Sequence, residues 1–187
     1  FTCMTMNNPF FTTIEQSVRE EAEKHGDEVI TLDTKQDIAT QIQQIEDMIN
    51  QGIDALFLCP VDSEGIAPAL DMLEEAGIPV INFDTDVSDK DKVDTILVSN
   101  NEYAGQAAGE AMAKKYPDGG KIAILDAPYA AACVQRVEGF MKGLGDAKDK
   151  FQIVAQQNGK GDTAESLPIA ENIIQANPDL IGFFCIN

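Results

Sequence analysis

Two arginines occur in this chain, Arg19 and Arg136, among 32 acidic residues and a net charge of -19. Arg19 lies in the charged run REEAEKH and reads as a solvated helix face. Arg136 lies in CVQRVEGF, close to an expected helix start, where a cation opposes the helix dipole. A cation placed against that preference reads as one held for a ligand, and the bland alternative is a surface pair with Glu138 or a nearby Asp. Other groups that can do chemistry follow apolar runs: Asn7, Asn8, Phe10 and Phe11 after FTCMTM, Cys59 and Asp62 after DALFL, Asp84 and Asp86 after INF. Ser99 and Asn100 follow TILV, Asp126 and Tyr129 follow KIAIL, and Asn187 follows LIGFFC. Carboxylates, amides, one guanidinium and aromatic rings suit a neutral polyol. Planar polar groups hydrogen-bond neighbouring hydroxyls, and a ring face packs on the sugar's C–H side.

Catalysis has little support. The one histidine, His25, precedes Gly26 at a helix end, where it favours the dipole. The chain has no GxSxG, HExxH, Walker loop or GxGxxG. Cys59 has no histidine near it to activate a thiol. The run DTDVSDKDKVD lacks the glycine and glutamate of a calcium loop, and the four cysteines show no metal spacing. Cys3, Cys59, Cys133 and Cys185 are read as buried thiols. The expectation is a non-enzyme with no cofactor and no metal.

These residues need elements to position them. Apolar runs alternate with amphipathic segments throughout, which predicts an α/β fold with parallel sheets covered on both faces. Asp37 caps a helix carrying Ile38, Ile42, Ile45 and Ile49, ended by Gly52. Asp62 or Ser63 is expected to cap the next, ended by Gly77. Asn100 or Asn101 opens a helix with an Ala104, Ala107, Ala108, Ala111, Met112 stripe, and further helices are expected over 131–144 and 162–176. Ligands of open parallel sheets bind beyond the carboxyl ends of the strands, where the candidate groups fall. Adjacent aromatics cannot both enter one helix stripe, so one of Phe10 and Phe11 should pack inward and the other should wall the site.

The chain also repeats itself. Pro9, Phe10, Gln16, Val18 and Gly26 meet Pro128, Tyr129, Gln135, Val137 and Gly145 at one constant offset. Asp37, Ile49 and Asp54 meet Asp162, Ile174 and Asp179 at a slightly larger one. Two similar lobes follow, an N-terminal one over 1–100 and a C-terminal one over 101–187, the second incomplete in this chain. No leader is read at Phe1, which looks like strand interior, and the chain reads as a segment of a longer protein. No apolar run approaches the roughly 18 residues of a membrane span. The acidic balance argues against nucleic acid and anionic lipid as partners.

NNPFF, IDALFLCPVDSEGIAPAL, GIPVINFD, VSNNEYAGQAAGEAMA, QRVEGF and FFCIN together resemble bacterial periplasmic sugar-binding proteins of the ribose-binding type. The resemblance implies two doubly wound parallel-sheet lobes of the type I periplasmic binding fold, joined at a hinge that begins after Ser99. They close on a monosaccharide, a pentose or hexose, which a monomer delivers to a membrane ABC permease. It implies a periplasmic or extracellular location, with a lipid anchor as one form of it. Carried over by residue, Asn8, Phe10 and Phe11 match the first ligand segment, Asp84 an aspartate that accepts from hydroxyls, Arg136 an arginine of the second lobe, and Asn187 an asparagine at the last strand end. Ser99 is a weaker match beside the hinge. Cys59, Thr85 and the NGKGD stretch at Gly161 depart from the ribose binder, which has asparagine, arginine and an aromatic there, so the wider sugar class is implied rather than ribose. Repressors of the lactose-repressor family share this core and are the alternative: the ligand-sensing part of a transcription regulator. The acidic charge and the absence of a basic Gly-His turn in KYPDGGKIAIL favour the transport protein.

Overall fold

A computed structural model describes residues 1–186. They divide into two compact units, Phe1–Val98 and Ser99–Asn187. In the first, five parallel strands, β1 (Thr2–Cys3), β2 (Leu32–Asp33), β3 (Leu56–Leu58), β4 (Val80–Phe83) and β5 (Thr95–Leu97), form one sheet in the order β2-β1-β3-β4-β5. Helices α1 (Pro9–His25), α2 (Ile38–Gln51) and α3 (Ala67–Ala76) connect the first four. In the second unit, α4 (Asn101–Lys115) leads into β6 (Gly120–Asp126), α5 (Ala131–Gly143), β7 (Phe151–Asn158), α6 (Thr163–Ala176) and β8 (Leu180–Cys185). Its three strands are also parallel, in the order β7-β6-β8.

Alternation along each strand separates two cores in the first unit. Leu56, Leu58 and Val80 pack with Ile45 and Met48 of α2 and Leu70 and Leu73 of α3. Cys3, Cys59 and Phe83 pack on the opposite side with Phe1 and Phe11. Both faces are therefore apolar, as continuous apolar strands require.

The helix ends mostly follow the sequence. Asn8, Asp37, Asn100 and Asp162 cap α1, α2, α4 and α6 through their side chains, and Gly26, Gly52 and Gly77 close α1, α2 and α3 with positive φ. Two expectations are corrected. Helix α3 starts at Ala67, not after Asp62: the Asp62 carboxylate accepts from Glu64 and Gly65 N–H, capping a separate turn before the helix. Helix α4 does not bury the expected alanine stripe. Its buried residues are Asn101, Gly105 and Gly109, which form one row at four-residue spacing.

That row explains the second unit's packing. A Cβ on Gly105 would lie 2.0 Å from the Arg136 carbonyl oxygen, and one on Gly109 would lie 2.2 Å from that of Phe140. From α5, a Cβ on Gly139 or Gly143 would lie 2.0 or 2.1 Å from the Glu102 or Gln106 oxygen. Only glycine permits this backbone-to-backbone approach, and α4 and α5 run side by side in the same direction. Phe140 then stacks on Phe184 of β8, with ring centroids 4.2 Å apart.

Candidate functional site

In the first unit the candidate residues gather where β1, β3 and β4 end. The NNPFF pair divides: Phe11 is 4% exposed and joins the Phe1, Cys3, Cys59, Phe83 core, while Phe10 is 50% exposed. The Phe10 and Phe11 rings meet edge-on at 5.3 Å, and Phe11 meets Phe83 at 6.5 Å, so the aromatic row leads to the residue before Asp84. Asn8 is half-buried and its Oδ1 accepts from Phe10 N–H at 3.0 Å, which commits that oxygen to the helix start.

Asp84 has a φ of 64°, in the left-handed region that few non-glycine residues adopt. Its N–H donates to the Leu97 carbonyl at 2.9 Å, and Thr85 N–H donates back to the Phe83 carbonyl at 2.8 Å. Asn82, fully buried inside β4, fastens the following loop: its Nδ2 donates to the Leu58 and Thr85 carbonyls, and its Oδ1 accepts from Val87 N–H. The backbone is thus over-determined around a conformation that costs about 1 kcal/mol or more. Asp84 Oδ2 accepts from the Cys59 thiol at 3.7 Å and the Thr85 hydroxyl at 3.4 Å. Burial, followed by the nearby Asp84 charge, pushes the Cys59 thiol well up, and burial pushes Cys3 up to about 12. Both stay thiols at neutral pH, and Cys59 serves Asp84 as a donor.

Beneath these ends lies a second fastening that the sequence reading passed over. Gln41 of α2 is fully buried; its Nε2 donates to Thr2 Oγ1 and the Cys59 carbonyl, and its Oε1 accepts from Val61 N–H. Thr34 Oγ1 reaches the Cys3 and Met4 carbonyls. The signals were there: Gln41 falls on the buried stripe of α2 between Ile38 and Ile45, and Asn82 interrupts an apolar strand.

In the second unit Arg136 lies in the second turn of α5, beyond the first turn where the dipole acts, so its dipole argument is weaker than its sequence position implied. Its Nε donates to Asn101 Oδ1 at 2.9 Å, and its Nη1 donates to the Ile186 carbonyl at 2.6 Å, just past β8. Asp126, at the end of β6, accepts from Gln156 Nε2 at 2.6 Å and Ala127 N–H at 2.7 Å. Burial pushes the nearby Tyr129 phenol up to about 12. Ser99 is exposed, and its carbonyl accepts from Asn101 N–H. Asn187 lies outside the described residues. Arg19 differs from its expected solvated role: it pairs with Glu15 and donates to Thr31 Oγ1, tying α1 to the approach to β2. Of the thiols, Cys3, Cys59 and Cys133 are buried and Cys185 is exposed.

Parallel α/β units with polar and aromatic groups at the strand ends define a class of open-sheet ligand-binding protein. The chain belongs to the periplasmic binding protein family, whose domain matches residues 1–187. It is 35% identical to the ribose import binding protein RbsB of Bacillus subtilis over 98% of this chain and 59% of that protein. Among solved structures, an ABC transporter solute binding protein from Mycobacterium smegmatis with bound glycerol matches with a TM-score of 0.90 at 29% identity, covering 99% of this chain and 64% of that one. An ABC transporter solute binding protein from Agrobacterium vitis with bound D-fucose matches with a TM-score of 0.87 at 28% identity, covering 98% and 65%. The chain therefore spans about three-fifths of the length of these relatives.

Proposed function

We propose that this protein is an extracytoplasmic solute-binding protein that captures a neutral monosaccharide, a pentose or hexose, and hands it to a membrane ABC permease. The observation that carries this reading is the built setting of Asp84: a left-handed backbone position, fastened from β3, β5 and Asn82, beside an aromatic row that ends in the exposed Phe10. A carboxylate so held accepts from two neighbouring hydroxyls, and an aromatic face beside it packs on the apolar side of a sugar ring. Arg136 supplies donors from the second unit, with Asn8, Phe11, Ser99 and Asn187 as further contacts or supports. The relatives' names support the same reading: a ribose import protein, and solute binding proteins holding glycerol or D-fucose. The protein acts as a monomer, by binding and release rather than by bond chemistry, and works on the outer side of the cytoplasmic membrane.

The test is thermal unfolding of the full-length protein against pentoses, hexoses, polyols and sugar phosphates. A ligand at about a hundred times its dissociation constant adds about 2.7 kcal/mol of stability. A shift with a neutral sugar supports the proposal. A shift with sugar phosphates alone points to a cytoplasmic regulator, and a flat panel removes the sugar reading.

A further inference from the structure

The geometry points to Asn101 as the positioning residue for Arg136. This inference rests on the reading of Arg136 as a sugar-binding group. Asn101 is the first residue of α4 and is 2% exposed, although asparagine at a helix start ordinarily faces water. It does not cap the helix. Asn100 does that, through Oδ1 to Tyr103 N–H at 3.0 Å. The Asn101 amide instead turns inward and accepts from Arg136 Nε at 2.9 Å. Two adjacent asparagines thus divide two tasks, and only the second reaches across to the neighbouring helix.

The surroundings hold that bond in place. Gly105, one turn after Asn101, lies against the carbonyl of Arg136 itself, so α4 and α5 have no slack at this level. Gly139, one turn after Arg136's own turn begins, lies against the carbonyl of Glu102, next to Asn101. The guanidinium is gripped at Nε by Asn101 and at Nη1 by the Ile186 carbonyl, two acceptors set on different elements. Two such contacts fix the plane of the fork. A free arginine carries several rotatable bonds, and a ligand that had to order them would bind more weakly. Asn101 meets that ordering cost in the fold.

The test uses two variants of the full-length protein. Asn101→Asp keeps an acceptor oxygen in the same place, and Asn101→Leu keeps the volume and removes the acceptor. With only two arginines, Nε-labelled protein gives two Nε–H signals in NMR, and Arg19→Lys assigns them. In the wild type the Arg136 Nε–H should exchange slowly with solvent. Asn101→Leu should abolish that protection and weaken binding of the sugar found by the thermal panel by about tenfold. Asn101→Asp should retain both. Wild-type protection and affinity in Asn101→Leu would overturn the inference, as would loss of both in Asn101→Asp, which would assign Asn101 a packing role. A wild type that binds no sugar while Asn101→Leu still loses Arg136 protection would strike the sugar reading and leave the Asn101–Arg136 pair standing.

Discussion

The two units fasten the same kind of scaffold in different ways. In the first, buried side chains tie strand ends together: Gln41 bridges Thr2, Cys59 and Val61, and Asn82 bridges Leu58, Thr85 and Val87. In the second, backbone meets backbone across Gly105, Gly109, Gly139 and Gly143. The position four residues after the caps of α2 and α6 shows the contrast. It is Gln41 after Asp37 in the first unit and Ser166 after Asp162 in the second; where Gln41 reaches three partners, the Ser166 hydroxyl donates to the Gly159 carbonyl just past β7. A related fold can therefore hold a polar side chain in place either by amide bridges under a loop, as at Asp84, or by helix contact beside an arginine, as at Arg136.

The largest effect should come from the aromatic core of the first unit. Phe11→Ala removes a buried ring from the Phe1, Cys3, Cys59, Phe83 cluster and should cost about 4 kcal/mol in urea unfolding. If the loss is under about 1 kcal/mol, Phe11 does not anchor α1 as described. Next, Gly139→Ala forces α4 and α5 apart and should cost about 3 kcal/mol. Gly52→Ala is its control: no atom lies within 4 Å of the added Cβ, only its φ of 81° opposes the change, and the cost should be about 1 kcal/mol. Equal costs at the two glycines would contradict the close helix contact.

Gln41→Leu should cost about 2 kcal/mol, since the Cys59 carbonyl and Val61 N–H lose a buried partner. Ser166→Ala, on the same unfolding assay, should cost less than half of that, and the reverse order would remove the contrast between the units. The smallest stability effect belongs to Phe10→Ala. Half-exposed, it should change unfolding by less than about 1 kcal/mol while weakening sugar binding measurably. A variant that binds sugar as the wild type does would take Phe10 out of the site.

Much of this architecture is legible in the sequence because it is local. Asp37 before an isoleucine stripe and Gly52 after it mark a helix without any tertiary knowledge, and apolar runs mark the strands. Most of what was missed depends on partners distant in the chain. Asp62 is the local exception: it resembles a helix cap, yet its carboxylate accepts from Glu64 and Gly65 N–H and so caps a separate turn ahead of the helix at Ala67. The alanines of α4 resemble its buried face, yet the glycines are buried, because α5 brings its own glycines to the contact. The spacing of Gly105 to Gly109 and of Gly139 to Gly143 was the available clue. In the site, Asp84 and Arg136 could be singled out by type and position, whereas Cys59, Asn82 and Asn101 acquire their roles only through the oxygens and nitrogens that the fold places beside them.

The most direct measurement is calorimetric titration of the sugar found by the thermal panel into the full-length wild type, Asp84→Ala and Arg136→Met. If the protein captures a monosaccharide with groups from both units, each variant should bind at least about tenfold more weakly, as expected for losing a hydrogen bond to a charged group. Wild-type affinity in either variant would contradict that account and confine the ligand to one unit.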